Sequence, residues 1–179
     1  MLGRIEEIIP PFWEKRLKYD YGCVMLHFTF WELSTLHSYI TPQHVYTVNG
    51  SNRFGLERKP HITLLYGLNG SVTAKDVSEK LQKFNYSGCK LNNVSLFKKK
   101  YDVLKFDVSG SGIVDGNEAL TTLPHVSEHN VFNPHLTVAY LTKGMGDRYV
   151  NKLKKENYIL KPSYLEYTNP NGRIYKLHI

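Results

Sequence analysis

The sequence predicts an α+β domain in which one unit, a strand followed by a helix and two more strands, occurs twice. One observation behind this prediction is a pair of matched phrases, PHITLLY at residues 60–66 and PHLTVAY at residues 134–140, which share Pro, His, Thr and Tyr. The other is the pattern after each phrase, where helical spacing of apolar residues gives way to strand-like segments. The copies cover roughly residues 53–109 and 128–179. We therefore expect a bilobal, pseudo-twofold domain with two antiparallel sheets and helices on the outside.

Ahead of the first copy, the sequence predicts an extension, a buried strand and a helix. Residues 1–20 mix charges with adjacent prolines and are expected to form an N-terminal extension to a single domain at 21–179. The run YGCVMLHFTF, at 21–30, is nearly all apolar, which is typical of a buried strand. From there to residue 44 we expect a helix. VYTV, at 45–48, is expected to form a strand that ends in an Asn-Gly turn.

The first copy continues with a helix and a hairpin. TAKDVSEKLQKF, at 73–84, has apolar residues at helical spacing. Thr73 and Asp76 match a capping box at its start. Two strands, at roughly 90–98 and 102–109, are expected to follow and to be joined by a tight basic turn.

The second copy is preceded by a helix and repeats the order of the first. IVDGNEALTTLPHV, at 113–126, predicts a helix that ends at its proline. HLTVAYL, at 135–141, predicts a strand, and DRYVNKLKKENY, at 147–158, predicts a helix. The segment 164–179 predicts a hairpin around NPNG.

Composition narrows the class of protein. The chain has 179 residues, 41% of them apolar, which is enough for a packed core, and a net charge of +7. A basic excess favours an anionic partner such as a nucleotide or nucleic acid. The two cysteines form no CxxC pair, which favours a reducing cytoplasm. No apolar run approaches the length of about 18 residues that a membrane helix needs, so we expect no membrane span.

The matched phrases place a histidine and a threonine on the same face of each strand. Side chains alternate across a strand, so residues two apart share a face. The pairs are His61 with Thr63, and His135 with Thr137. The alternate positions are apolar and are expected to enter the core together with Tyr66 and Tyr140. Two such strands meeting at a pseudo-dyad would surround one cavity with two imidazoles and two hydroxyls.

Two imidazoles and two hydroxyls suit phosphodiester chemistry. A histidine titrates near neutral pH, so one ring can accept a proton while the other donates one. Threonine hydroxyls can donate hydrogen bonds to phosphate oxygens and stabilise the charge of the transition state. This division of roles requires no metal or other cofactor. The sequence has neither an HExxH motif nor a Cys/His cluster with zinc spacing, and we expect no cofactor.

PHITLLYG and PHLTVAYL resemble the paired H-x-T motifs of the 2H phosphoesterase superfamily. That superfamily includes RNA 2',3'-cyclic phosphodiesterases, bacterial 2'-5' RNA ligase-like proteins, and viral enzymes that degrade 2'-5' oligoadenylate or cyclic-nucleotide signals. The resemblance covers about residues 20–179 through element order, and FGLERKPHITLLYGL is similar to phage and bacterial members. It implies a bilobal fold with a central cleft, with His61 and His135 as the catalytic pair. Thr63 and Thr137 would be the phosphate ligands.

Other residues near the phrases are candidates for substrate binding. Arg58 and Lys59, just before His61, are candidates for attracting a phosphate. A nucleobase is usually held by stacking on an aromatic ring. The aromatic candidates near the expected rim of the cleft are Tyr21, Phe54, Phe132 and Tyr167. His27 belongs to a His-x-Thr match that lacks the rest of the phrase, and it is expected to be a buried strand residue near the cleft.

The resemblance and the residues together favour a metal-independent phosphodiesterase acting on a cyclic or 2'-5'/3'-5' linked nucleotide or short oligonucleotide. A nucleotide second messenger of host antiviral defence is a natural substrate for such an enzyme, which would then work in the host cytoplasm. The moderate charge, without a strong basic stripe, favours a small nucleotide over long RNA. One alternative is an RNA 2',3'-cyclic phosphodiesterase that acts on RNA ends. Another is a nucleotide-binding module without turnover, and the last is a purely structural domain.

Overall fold

Antiparallel pairing of eight strands builds two sheets in the computed structural model, which describes residues 4–11, 17–127, 131–153, 158 and 160–179. Within these ranges the elements, in chain order, are β1 (Ile5–Ile8), β2 (Gly22–Thr29), α1 (Leu33–Ser38), a 3₁₀ helix (Pro42–His44), β3 (His61–Leu68), α2 (Ala74–Leu81), β4 (Lys90–Lys98), β5 (Asp102–Ser109), α3 (Ser111–Leu120), β6 (His135–Leu141), α4 (Asp147–Lys152), β7 (Lys161–Thr168) and β8 (Ile174–Leu177).

The two sheets have five and three strands. The larger has the order β1-β8-β7-β2-β3 and the smaller the order β4-β5-β6. Every pairing between neighbouring strands of the described residues is antiparallel. The predicted α+β class with antiparallel sheets is therefore confirmed.

The repeated unit is present in the element order but is divided between the sheets. The first copy runs β3-α2-β4-β5 and the second runs β6-α4-β7-β8. β3 lies in the sheet that contains the hairpin β7-β8, and β6 lies in the sheet that contains β4-β5. Each sheet thus combines the His-x-Thr strand of one copy with the hairpin of the other. Hydrogen bonds between strands therefore join the first copy, in 53–109, to the second copy, in 128–179.

One apolar core joins both sheets to α2 and α3. The alternate positions of the two phrases belong to it. Ile62 and Leu64 of β3, and Leu136 and Val138 of β6, are fully buried. The face opposite each His-x-Thr pair is therefore the core face, as the strand period predicts.

The start of α2 forms the predicted capping box. Thr73 Oγ1 accepts a hydrogen bond from Asp76 N at 3.2 Å, and Asp76 Oδ2 accepts one from Thr73 N at 2.8 Å. The hydrogen bonds from Thr73 lower the pKa of Asp76. Such a cap contributes about 0.5–2 kcal/mol to helix stability. Val77 and Leu81 turn into the core and fix the helix against it.

The region between β2 and β3 differs from its prediction. The expected helix up to residue 44 divides into α1 and the 3₁₀ helix, because Thr41 precedes a proline and takes an extended conformation. Residues 45–48 form no strand. Val45 makes a single bridge to Leu141, and Val48 makes one within its own turn.

The N-terminal segment and two helices also differ from expectation. Within the expected N-terminal extension, β1 pairs with β8 and becomes an edge strand of the larger sheet. α3 occupies only part of the predicted 113–126 segment. α4 starts where predicted, and residues 154–157 of that prediction lie outside the described part of the chain. None of the helices in the described ranges has the length and apolar character needed to cross a bilayer.

Candidate active site

The two His-x-Thr pairs meet where the sheets approach each other. β3 and β6 are in contact although they belong to different sheets. The site that they form, the paired-histidine site, consists of His61, Thr63, His135 and Thr137. All four side chains are partly exposed, and that of His61 is 27% accessible. The histidines are close enough for the charge of His61 to lower the pKa of His135.

The same hydrogen bond orients both histidine rings. Nδ1 of His61 lies 2.8 Å from the carbonyl oxygen of Lys59, and Nδ1 of His135 lies 2.9 Å from that of Asn133. A carbonyl oxygen only accepts, so each Nδ1 carries a hydrogen and donates it. In the neutral ring Nε2 is then the nitrogen with a free lone pair. Both histidines are therefore set to exchange protons through Nε2.

The proline of each phrase ties its strand to a neighbour in the same way. Phe28 N donates to the Pro60 carbonyl and Val108 N donates to the Pro134 carbonyl, both at 3.0 Å. These bonds join β2 to the start of β3 and β5 to the start of β6. The matched prolines thus have matched structural roles, which accounts for their repetition in the sequence.

A buried lysine lies next to His135 on the smaller sheet. Lys105 is only 3% exposed, and in the pairing of β5 with β6 it lies opposite Thr137. Its Nζ donates a hydrogen bond to Ser95 Oγ at 2.7 Å and another to Asp107 Oδ1. An ammonium removed from water needs such partners to remain charged. The smaller sheet therefore places an ion pair, the buried Lys105 with Asp107, beside the paired-histidine site.

Phe97 connects Lys105 to His135. Lys105 Nζ lies 4.4 Å from the centre of the Phe97 ring, a cation–π contact. The same ring meets His135 edge-on, with ring centres 4.8 Å apart. Phe97 therefore packs against the imidazole and helps to exclude water from it.

The surroundings of His135 favour its neutral form. Burial lowers its pKa most, and the positive charges of Lys105 and His61 lower it further. The bond to Asn133 and the Asp107 carboxylate act in the opposite direction without cancelling these effects. With its Nδ1 hydrogen engaged, a neutral His135 presents Nε2 as a proton acceptor near neutral pH.

A carboxylate lies near His61. Glu57 Oε2 is 3.9 Å from His61 Nδ1, and the contact becomes an ion pair when the ring is protonated. The cross-strand partner of His61 is His27, whose ring centre is 5.5 Å away. His27 in turn stacks on Tyr164 at 4.6 Å, and its Nε2 lies 3.4 Å from Glu166 Oε2. That approach lacks hydrogen-bond geometry, so it is an electrostatic contact. The two histidines thus have different ionisable neighbours.

The prediction that Tyr167 lies at the rim of the cleft and stacks on a base is wrong. Its side chain is fully buried, and its hydroxyl donates to the carbonyl of Val72 at 2.9 Å. Every second residue of β7 turns toward the core, and Tyr167 is on that side. Tyr164, on the other side of the strand, is the aromatic residue of β7 that reaches the paired-histidine site through His27.

The predicted core positions of Tyr66 and Tyr140 are also wrong. Tyr66 is 41% exposed, and Tyr140 is half-buried. The pairing of β2 with β3 shifts register after Val24, and that of β5 with β6 shifts after Leu104. An irregularity of this kind reverses the side-chain alternation beyond it. In both phrases, side chains therefore alternate between the two faces of the strand from the histidine to the threonine, but this alternation no longer holds at the tyrosine.

The remaining candidates lie at varied distances from the histidines. Arg58 and Lys59 are exposed, and Lys59 contributes its carbonyl to the orientation of His61. Tyr21 meets the Tyr66 ring edge-on at 6.0 Å. Phe132 is partly buried against the core. None of these contacts by itself makes the residue a base platform.

Phe54 is enclosed by other rings. Its ring centre is 5.2 Å from Tyr46, 5.1 Å from Tyr101 and 5.4 Å from Tyr140. Arg53 lies over the Phe54 ring at 5.8 Å. These contacts hold the Phe54 ring in an aromatic cluster that packs the loop against β6.

Sequence reasoning missed the polar side chains on the strands next to β3 and β6. Lys105 and Asp107 alternate along an otherwise apolar strand, which is a signal of a polar face. Tyr164 and Glu166 show the same alternation on β7. His27 was expected to be a buried strand residue, and it is buried, directly beside His61.

No protein-family model matches this chain, and no curated protein matches it in sequence. Among the described residues, no three His, Cys, Asp or Glu side chains group as metal ligands would.

Proposed function

We propose that the protein is a phosphodiesterase of the 2H phosphoesterase type, with the bilobal pseudo-twofold fold of that superfamily. The observation that carries this proposal is the pair of partly exposed histidines on contacting strands, each oriented through Nδ1 by the carbonyl two residues earlier. Each is followed by a threonine on the same face. This is the arrangement that acid–base catalysis at one phosphorus atom requires.

The difference between the two halves supports an assignment of roles. His135, neutral through burial and the Lys105 charge, is the general base. Its Nε2 removes a proton from the attacking water or ribose hydroxyl, whose oxygen forms a bond to phosphorus. His61, beside the Glu57 carboxylate, is the general acid. Its Nε2 gives a proton to the ribose oxygen as the bond between that oxygen and phosphorus breaks.

The threonines stabilise the charge that builds on the phosphate. The hydroxyls of Thr63 and Thr137 donate hydrogen bonds to its non-bridging oxygens, and they gain strength as negative charge increases in the transition state. Removing one such donor in comparable sites lowers kcat by a factor of about 10²–10³. Each half of the site thus supplies one proton-transfer group and one phosphate ligand.

The substrate is a small cyclic nucleotide or a 2'-5' or 3'-5' linked oligonucleotide. The net charge of +7 favours an anionic ligand. A nucleotide messenger of host antiviral defence fits this class, and the site of action is then the cytoplasm of the host. RNA ends with 2',3'-cyclic phosphates are the alternative substrate for the same chemistry.

The test is turnover of a substrate panel in the presence of EDTA. The panel contains 2',3'-cyclic nucleotides, 2'-5' oligoadenylate, and cyclic di- and trinucleotides. Turnover by the wild type, lost in both His61→Ala and His135→Ala, supports the proposal. His125→Ala is the matched control, because His125 also follows a proline and places Nδ1 2.9 Å from the carbonyl two residues earlier, yet lies outside the site.

The other outcomes separate the alternatives. Turnover of 2',3'-cyclic nucleotides only identifies the RNA-end enzyme. Binding without turnover of any member identifies a nucleotide-binding module. If either histidine variant keeps the full rate on every hydrolysed substrate, the paired-histidine mechanism is wrong.

A further inference from the structure

We propose that a groove next to His61 holds the leaving nucleoside of a dinucleotide or longer substrate, with its base stacked on Trp31. This inference rests on the proposed phosphodiesterase function and extends it. It names a base-binding site that neither the matched phrases nor the candidate aromatic residues include.

The groove has the size and lining of a ligand site. Its volume is about 470 Å³, and small-molecule sites commonly measure about 300–1,000 Å³. Buried apolar side chains of Phe28, Phe30 and Leu33 contribute to its lining, together with Pro60. A nucleoside offers flat apolar faces of the kind that such a surface covers.

Trp31 is the feature that points to a base. It borders the groove and is 80% exposed, which is unusual for the largest apolar side chain. No aromatic ring of the described residues stacks on it, whereas Phe54 is surrounded by three. A free indole at the edge of an apolar groove is the preferred surface for stacking a base.

The groove borders His61 on the Nδ1 side of its ring. Pro60, in its lining, directly precedes His61. Glu57, also in its lining, has its carboxylate 3.9 Å from His61 Nδ1. Phe28 follows His27, the cross-strand partner of His61. A phosphate at the histidines would therefore have one of its two ester groups beside the groove.

The charges of the groove favour a nucleoside over a second phosphate in its interior. Arg58 is exposed at its border and provides one positive charge for the phosphate that the histidines hold. Glu57 repels further phosphates, and its carboxylate can accept hydrogen bonds from a ribose hydroxyl or an exocyclic amine. His37, also in the lining, contributes no charge near neutral pH, because burial lowers its pKa.

The groove lies on the side of the general acid. His61 protonates the ribose oxygen that leaves phosphorus, so the nucleoside in the groove is the one released. A diester in which that nucleoside is replaced by a methyl group would leave the groove empty. The enzyme should therefore prefer a dinucleotide to the methyl ester.

The experiment compares adenylyl-adenosine, in its 2'-5' and 3'-5' forms, with the corresponding adenosine methyl phosphate diester. Stacking contributes about 1–3 kcal/mol per base, which corresponds to about 5- to 150-fold, so we expect the wild type to prefer the dinucleotide in kcat/KM by at least about fivefold. Trp31→Ala should reduce that preference severalfold or more, mainly through KM, and Trp31→Phe should restore most of it. A preference that survives Trp31→Ala, or an equal loss on both diesters, overturns the inference.

A binding measurement keeps this inference separate from the proposed function. The chain has two tryptophans, so Trp13→Phe leaves Trp31 as the only indole. Titration of that protein with adenylyl-adenosine should quench its fluorescence, whether or not the dinucleotide is hydrolysed. Quenching supports the groove even if the dinucleotide is not hydrolysed, whereas the phosphodiesterase function is contradicted only when no member of the substrate panel is turned over. Absence of quenching up to millimolar dinucleotide overturns the inference.

Discussion

Asp107 is the direct cross-strand partner of His135 in the pairing of β5 with β6. The corresponding partner of His61, in the pairing of β2 with β3, is His27. The matched phrases are therefore framed by unmatched neighbours. Asp107 also accepts a hydrogen bond from the buried Lys105, so a fixed ion pair lies beside one histidine only. The neighbouring strands, not the phrases themselves, make the two histidines different.

Lys105→Met should move the acidic limb of the pH profile of kcat/KM to higher pH. After burial, Lys105 is the next largest of the influences that lower the pKa of His135, and His61 adds to it while Asp107 opposes it. Removing the ammonium raises that pKa and also frees the Asp107 carboxylate, which acts in the same direction. A base with a higher pKa becomes deprotonated at higher pH.

The matched control for this profile is Lys98→Met. Lys98 is exposed and pairs with Asp147 at 2.8 Å, on the surface of the protein. The Lys98→Met substitution removes the same charge from the chain without changing the surroundings of His135. A Lys105→Met profile that coincides with the Lys98→Met profile would contradict the role given to the buried lysine.

Thr63→Val and Thr137→Val should each lower kcat/KM by about 10²-fold, since each removes one hydrogen-bond donor to the phosphate while keeping the side-chain shape. The loss should appear mainly in kcat, because the donors act most strongly on the transition state. Steady-state kinetics on the best substrate of the panel measures it. Thr122→Val is the control, as its hydroxyl donates to Ala119 O on an exposed turn. Unchanged kcat in both site variants would remove the threonines from the mechanism.

Stability should fall as the pH is lowered below about 6.5, partly through His37. Burial lowers the pKa of His37 from its ordinary value of 6.5, and the opposing bond from Nε2 to Val138 O, 3.0 Å long, does not cancel this. Below 6.5 the unfolded chain binds a proton that the folded chain still excludes, so unfolding is favoured as the pH falls through the lowered folded value. The free energy of unfolding in urea, measured from about pH 5 to pH 8, tests this.

His37→Gln is the informative variant for that measurement. Glutamine retains a side-chain donor for the Val138 carbonyl but does not titrate. The variant should have a flatter dependence of stability on pH than the wild type, with His135 accounting for what remains. An unchanged slope would show that His37 is not a source of the pH dependence.

The class of the fold and the buried faces at the starts of β3 and β6 could be predicted because both depend on local pattern. Alternation of apolar residues decides which face of β3 and β6 is buried, and that decides where His61 and His135 point. The capping box of α2 is equally local, since Thr73 and Asp76 are three residues apart. Each of these features is determined within one element.

What could not be predicted depends on pairing between distant segments. Lys105 lies beside His135 only because β5 pairs with β6, a strand of the other copy. The outward position of Tyr66 follows from a shift in the pairing of β3 with β2, a strand about 40 residues earlier in the chain. The groove at Trp31 requires α1 and the loop before β3 to meet. The spacing of apolar residues within one segment does not show which distant segments will pair or pack together.

Gly67→Ala should destabilise the protein more than Gly50→Ala. Both glycines have positive φ, +117° for Gly67 and +75° for Gly50, and such a conformation costs about 1–3 kcal/mol for other residues. A methyl group at Gly67 would also collide with the carbonyl of Val126, whose amide hydrogen-bonds to the Gly67 carbonyl, whereas one at Gly50 meets open space. Urea unfolding of the two variants should therefore give a clearly larger loss at Gly67. The contact of Val126 with the end of β3 joins the chain ahead of the second copy to the first copy. Equal losses would mean that this contact relaxes at little cost in free energy and does not hold the copies together.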